Sequence, residues 1–271
     1  MIRFNIISEN RETELFHGEA GLSIVIDVDD YRFLLDTGYS DLYIINAMKL
    51  GIDLDKIDTA IITHGHADHS WGVAYLPKGK TIIMHPSCFK KRWSIRRKIQ
   101  MGFPLEKEAL SKVHTLITTT KPLEFKENIF FLGEIPMIVE HEKNGNFSTM
   151  LDEDLKEIDY TEDDSGIAIK TEKGLVIITG CGHRGICNTI EHAKKATEES
   201  KVYAVLGGLH LRNLDKQKDT IDNTIKYFKE NDIKVLYLGH CVSDEVIGYF
   251  KEHLNNIEIV SLYSGGIFEL N

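Results

Sequence analysis

A mixed α/β fold is predicted by three features of the sequence. Short apolar runs rich in Val and Ile alternate with segments of helical period along the whole chain. Two pairs of such runs are joined by tight polar links, Asp29-Asp30 and Lys173-Gly174, which read as hairpins. A pattern of strand, glycine, histidine and helix recurs at His64, His183, His210 and His240. The spacing of these four is not periodic, so the chain is not a repeat protein.

In chain order, residues 2–7 read as a strand and 9–21 as a polar loop. Residues 22–28 and 31–36 make the first hairpin, and 41–50 a helix. Residues 59–63 are apolar and β-branched and read as a buried strand. It ends at His64-Gly65-His66, where Gly65 lets the backbone turn tightly, and a helix begins near Asp68-His69. Residues 81–84 are a strand running into His85-Pro86. Gly79-Lys80-Thr81 is not a phosphate loop, because Ala74 stands where that motif needs its earlier glycine.

Residues 87–112 differ in character. Lys90, Lys91, Arg92, Arg96, Arg97 and Lys98 are interleaved with Trp93, Ile95, Ile99, Met101 and Phe103 at helical spacing. The segment reads as an amphipathic helical lid inserted into a single domain spanning 1–271. On this reading Arg92, Arg96 and Arg97 meet an anionic substrate such as a phosphate, and His85 faces the same cleft. The plain alternative is a solvated face of a surface helix.

A run of strands follows at 114–118, 129–132 and 135–139, with His141 after the last. The acidic stretch 152–164 reads as a surface loop. Strands at 166–170 and 175–179 lead to T-G-C-G-H-R-G-I and a helix from about 188. Strand 202–206 ends in G-G-L-H and precedes a helix at 220–229; strand 234–238 ends in G-H-C and precedes a helix at 244–254. Strands at 258–262 and 267–270 close the chain.

Composition limits the functions available. The 271 residues are 42% hydrophobic and 27% charged, an ordinary globular balance. A net charge of −10 argues against nucleic acid held by a global positive field. Cys88, Cys181, Cys187 and Cys241 are scattered, which predicts a reducing cytoplasm rather than a disulfide framework. The start has too short an apolar run for a signal peptide, and no run approaches the roughly 18 apolar residues of a membrane span. Without secretion, the glycosylation pattern at Asn146-Phe147-Ser148 carries no meaning. A monomer or homodimer acting on a small anionic molecule is expected.

Twelve histidines are many for this length, and four potential metal ligands crowd into residues 64–69. Imidazoles with one carboxylate are a set that zinc prefers, and iron or manganese also accepts it. The string T-H-G-H-A-D-H resembles the metal-binding signature of the metallo-β-lactamase superfamily. F-L-L-D-T-G, T-G-C-G-H-R-G-I, G-G-L-H-L and L-G-H-C extend the resemblance over nearly the whole chain. They narrow it to the branch holding the archaeal dihydropterin–ribofuranosylaminobenzene phosphate synthase and related metal-dependent hydrolases.

The resemblance implies a four-layer αβ/βα sandwich with mixed sheets and one or two divalent ions. It implies His64 and His66 on a first ion, Asp68 and His69 on a second, and His240 completing the second. Asp36 would hold a ligand imidazole in place. The superfamily's usual bridging aspartate is absent; Cys181-Gly182-His183 stands there. His183 is therefore taken as a ligand, with Cys181 as either thiolate ligand or buried small residue. His141 is a candidate for the remaining ligand histidine.

A metal-activated water attacking an anionic, phosphate-containing ester or amide is the implied chemistry. Asp68 would orient that water, and His183 or His210 would protonate the leaving group; His210 is also a candidate substrate contact. A synthase-like transfer that displaces pyrophosphate is the alternative, and a non-catalytic metal or ligand binder is the third reading. A glutamate at position 66 and a flavodoxin-like domain would mark the redox di-iron relatives, and both are missing.

Overall fold

The computed structural model describes residues 1–143 and 149–271, so the glycosylation pattern at 146–148 lies outside the described residues. Contacts divide the chain, which the sequence reading treats as one domain, into two compact units. The first comprises Met1–Thr120, Ser148–Asp159 and Leu262–Asn271; the second comprises Lys121–Phe147 and Tyr160–Ser261. The α/β class holds for both.

The first unit is built on a seven-stranded mixed sheet. Its strands lie in the order Ile267–Leu270, Ile2–Ser8, Ser23–Val28, Tyr31–Leu35, Thr59–Ile62, Thr81–Met84, Thr115–Thr118. The first four pair antiparallel, including the expected hairpin. The rest pair parallel, with Leu35 opposite Ile61 and Ile61 opposite Ile83. A strand in a parallel sheet is covered on both faces and so reads as continuously apolar; Ala60, Ile61 and Ile62 are all buried. Helix Leu42–Lys49 buries Tyr43, Asn46 and Ala47, one side of a helix at three- and four-residue spacing. Tyr43 and Ala47 join Ile7, Val25, Leu34 and Ile62 in the core.

The second unit has its own seven-stranded mixed sheet, ordered Glu258–Ser261, Val235–Leu238, Val202–Gly207, Gly174–Thr179, Gly166–Thr171, Ile129–Phe131, Leu123–Lys126. Its first four strands are parallel. Helices Ile186–Thr197, Lys218–Glu230 and Asp244–His253 each follow a parallel strand. Each turns its apolar stripe to the core: Ile186, Ile190 and Ala193; Ile221, Ile225 and Phe228; Val246, Ile247 and Phe250. Ser243 starts the last helix by accepting a hydrogen bond from the Val246 N–H.

Three expectations need correction. Residues 87–112 are not a helical lid: they form a 3-10 turn Pro86–Phe89, a two-residue strand Trp93–Ser94 and a short helix Lys107–Ser111. Trp93–Ser94 pairs with Thr149–Met150, and Trp93 bridges to Gln100, so the apolar spacing belongs to a hairpin-like strap. Residues 135–139 are not a strand. Pro136 cannot donate to a ladder, and the Ile138 and Val139 N–H groups donate to Asn188 Oδ1 instead, both at 2.7 Å. The acidic stretch 152–164 is not merely a surface loop, because Asp159, Asp163 and Asp164 are buried.

Candidate metal centre

In the first unit the loop after strand Thr59–Ile62 presents three buried imidazoles, His64, His66 and His69. His66 is the extended residue before the one-turn helix Ala67–Ser70, which carries Asp68 and His69. The His64 ring lies 4.7 Å from that of His66 and 4.3 Å from that of His69, centroid to centroid. His64 and His66 offer ligand atoms within 4.8 Å of each other, and so do Asp68 and His69.

Gly65 earns its place by room rather than by a left-handed backbone. A Cβ built there would lie 2.2 Å from the Cys88 carbonyl oxygen and 2.7 Å from an Arg92 guanidinium nitrogen. Gly65→Ala is expected to destabilise the fold by about 1–3 kcal/mol and to weaken metal retention, read by urea unfolding and metal analysis of the same preparation.

Hydrogen bonds fix which nitrogen each imidazole presents. Asp36 is fully buried at the end of strand Tyr31–Leu35. Its carboxylate accepts from the Thr63 N–H at 2.7 Å and the Thr63 hydroxyl at 2.8 Å, and it meets His69 Nδ1 at 2.7 Å. The one hydroxyl proton of Thr63 is thus spent on Asp36, so Thr63 Oγ1, 3.0 Å from His64 Nδ1, accepts from that nitrogen. His64 and His69 are therefore Nδ1–H tautomers with Nε2 lone pairs. A neutral imidazole held through one ring nitrogen, with its other lone pair left for coordination, is the usual form of a ligand histidine. Two such groups, with the buried His66 and the Asp68 carboxylate, suit zinc, iron or manganese, so the residues present fit the implied ion.

The other side chains named in this unit fall into two groups. His85 is buried, and its Nδ1 accepts from the Ser87 N–H to cap the 3-10 turn. Arg92 is not on an exposed basic face: its side chain is fully buried, with Nε 2.6 Å from Asp159 Oδ2. Its other nitrogens donate to the Cys88 and Ser87 carbonyls. It is therefore withdrawn as a substrate contact. Arg96 and Arg97 are exposed on the strap. Asp159 was not legible in the sequence. Burial would raise its carboxyl, but the hydrogen bond from His66, the charge of Arg92 and the Thr149 hydroxyl hold it well below the usual carboxylate range.

In the second unit Cys181, His183, His210 and His240 sit at the ends of three parallel strands. Cys181 Sγ lies 3.3 Å from His240 Nε2, and the His183 and His210 rings are 4.3 Å apart. The His210 N–H donates to Cys241 Sγ, which in turn donates to the Cys181 carbonyl. A Cβ at Gly208 would lie 2.4 Å from Cys241 Sγ, so that glycine admits the sulfur. His210 and His240 adopt left-handed backbone angles, φ +51° and +55°, and Asp36 does the same at +55°.

His141 does not join this set. Its ligand atom falls with Glu142 and Cys187. Burial raises the Glu142 carboxyl, and its two oxygens cap helix Ile186–Thr197 by accepting from the Cys187 and Asn188 N–H groups. Burial, reinforced by Glu142, pushes the Cys187 thiol well up. Glu142 is thus committed to the helix cap, and His141 lies with it rather than with His183, His210 and His240.

A family model described as the metallo-beta-lactamase superfamily matches residues 18–83. The 7,8-dihydropterin-6-methyl-4-(β-D-ribofuranosyl)-aminobenzene-5'-phosphate synthase of Methanocaldococcus jannaschii is 31% identical over 274 residues, covering 94% of this chain and 91% of that protein. An uncharacterised protein of the same organism is 28% identical, covering 93% and 94% respectively. Among solved structures, a metal-dependent hydrolase of the beta-lactamase superfamily superposes with a TM-score of 0.87 at 28% identity over 100% of both chains.

Proposed function

We propose, because the chain belongs to the metallo-β-lactamase superfamily, that it is a metal-dependent hydrolase of an anionic, phosphate-containing small molecule. Its metal ligands on this reading are His64, His66, Asp68, His69, His183 and His240, with Cys181 as a further donor. The observation that carries the reading is the set of fixed tautomers around Asp36 and Thr63, which leaves His64 and His69 with Nε2 for coordination. One or two divalent ions are proposed, zinc first, with iron or manganese as alternatives.

A bound divalent ion lowers the pKa of its water from about 15.7 towards about 7 and so supplies a nucleophile at neutral pH. The residues of the chain do the rest. Asp68 orients the attacking water. Asp36 holds His69 so that its coordinating nitrogen does not rotate away. His210, which is outside the ligand set, gives a proton to the leaving oxygen or nitrogen. Arg96 and Arg97 attract the anionic group; replacing both by Ala is expected to raise KM for an anionic substrate more than for a neutral one, with kcat changed less, in steady-state kinetics.

A transferase reading competes with this one because the Methanocaldococcus relative is named a synthase of a 5'-phosphate product. There an aromatic carbon or nitrogen nucleophile would displace pyrophosphate in place of water. Both readings share the anionic substrate and the ligand set.

The test is metal content per chain on protein purified without added metal, with turnover of mono- and bis-p-nitrophenyl phosphate. Bound metal with chelator-sensitive turnover supports the hydrolase; bound metal without turnover favours the transferase. His66→Ala is expected to lower metal content and activity together. Full activity in that variant would overturn both readings. Among the described residues no helix is long and apolar enough to cross a membrane.

A further inference from the structure

We propose that Thr149 and Asp159, anchored by Arg92, act as positioning residues that hold His66 as its Nε2–H tautomer and so direct Nδ1 to the metal. The inference rests on the reading of His66 as a ligand.

His66 Nε2 lies 2.8 Å from Thr149 Oγ1. The Thr149 hydroxyl donates to Asp159 Oδ2 at 2.7 Å. A hydroxyl has one proton, so towards His66 it can only accept, and the proton of that contact belongs to His66 Nε2. The Asp159 carboxylate is itself 3.5 Å from His66 Nε2 and favours the same tautomer. Arg92 holds that carboxylate by Nε at 2.6 Å. All four residues are buried.

The consequence is an asymmetry within the H-x-H pair. His64 and His69 are held through Nδ1 and present Nε2; His66 is held through Nε2 and presents Nδ1. With His66 in the other tautomer, the nitrogen turned to the ion would carry a hydrogen. The backbone around the relay is tethered to the same loop: the Ala67 N–H donates to the Met101 carbonyl, and Trp71 Nε1 donates to the Gly102 carbonyl. Met101 N–H in turn donates to the Arg92 carbonyl. The strap is therefore part of how His66 is aimed.

Thr149→Val removes the hydroxyl and leaves the Arg92–Asp159 pair intact, so it is the primary variant. Asp159→Asn removes the charge, and Thr149→Ser restores the hydroxyl. Zinc affinity is read by competition with a chromophoric chelator. The His66 tautomer is read in metal-free protein from two-bond proton–nitrogen correlations of the imidazole ring. Thr149→Val and Asp159→Asn are each expected to weaken zinc binding by about 10–100-fold, with Thr149→Ser binding like the parent. Asp159→Asn is further expected to lose the protonated-Nε2 pattern of His66. Should His66→Ala bind zinc like the parent, the ligand reading itself fails and the relay with it. Should His66→Ala lose zinc while Thr149→Val and Asp159→Asn bind like the parent, or should Asp159→Asn bind weakly with the parent tautomer retained, the relay alone is overturned.

Discussion

Arg92→Met is expected to cost about 3–5 kcal/mol of folding stability, the usual consequence of removing one partner from a buried ion pair. Its guanidinium is fully buried, and the Asp159 side chain is only 3% exposed. Met fills most of the volume but leaves a carboxylate away from water with no cation. It also leaves the Cys88 and Ser87 carbonyls without the donors they now have from Arg92. The measurement is the urea midpoint at unchanged slope, which separates lost stability from altered compactness. Adding Asp159→Asn should recover part of the loss, since no bare charge then remains. Exposed Arg96 and Arg97 make the contrast: surface changes of that kind stay within roughly 0.5 kcal/mol.

Asp36→Ala is the second large effect, and it should strike folding and metal binding together. Its carboxylate gathers the Thr63 N–H, the Thr63 hydroxyl and His69 Nδ1. Alanine leaves buried donors without an acceptor, at about 1–3 kcal/mol each. It also forces a less tolerant residue to hold φ +55°. Zinc affinity is expected to fall by about 10–100-fold, because the proton positions on His64 and His69 are no longer dictated. Asp36→Asn keeps an acceptor oxygen and should lose less of both. Chemical denaturation of the metal-free protein, alongside metal titration, separates the two losses. A variant with parent-like metal affinity would show that the tautomers are set without Asp36.

Much of this centre was legible because its signals are local. The strand before the motif was expected at 59–63 and is found at Thr59–Ile62. Asp36 was expected to hold a ligand imidazole, and its contact with His69 follows that geometry. The relay was not legible for a physical reason. Arg92 and Asp159 are 67 positions apart, and nothing in a run of acidic residues says which carboxylate will be drawn inside by a distant guanidinium. The strap departs from the helical expectation for a related reason: its apolar spacing matches a helix, whereas pairing with Thr149–Met150 decides its form. Pro136 opposes a strand at 135–139 whatever the apolar pattern there, because it has no N–H to give to a ladder. The two-unit division was hidden because the first unit draws on three separated stretches of chain.

The left-handed backbones at Asp36 in the first unit, and at His210 and His240 in the second, set a main-chain cost against what each side chain does. For a residue with a Cβ, that conformation costs about 1–2 kcal/mol, and glycine would adopt it freely. Each position is thus one where drift towards glycine relaxes the main chain while deleting the chemistry. Replacement by glycine at any of the three therefore sets relief of the main chain against loss of the side chain's contacts, and the net change in stability reads which of the two is larger.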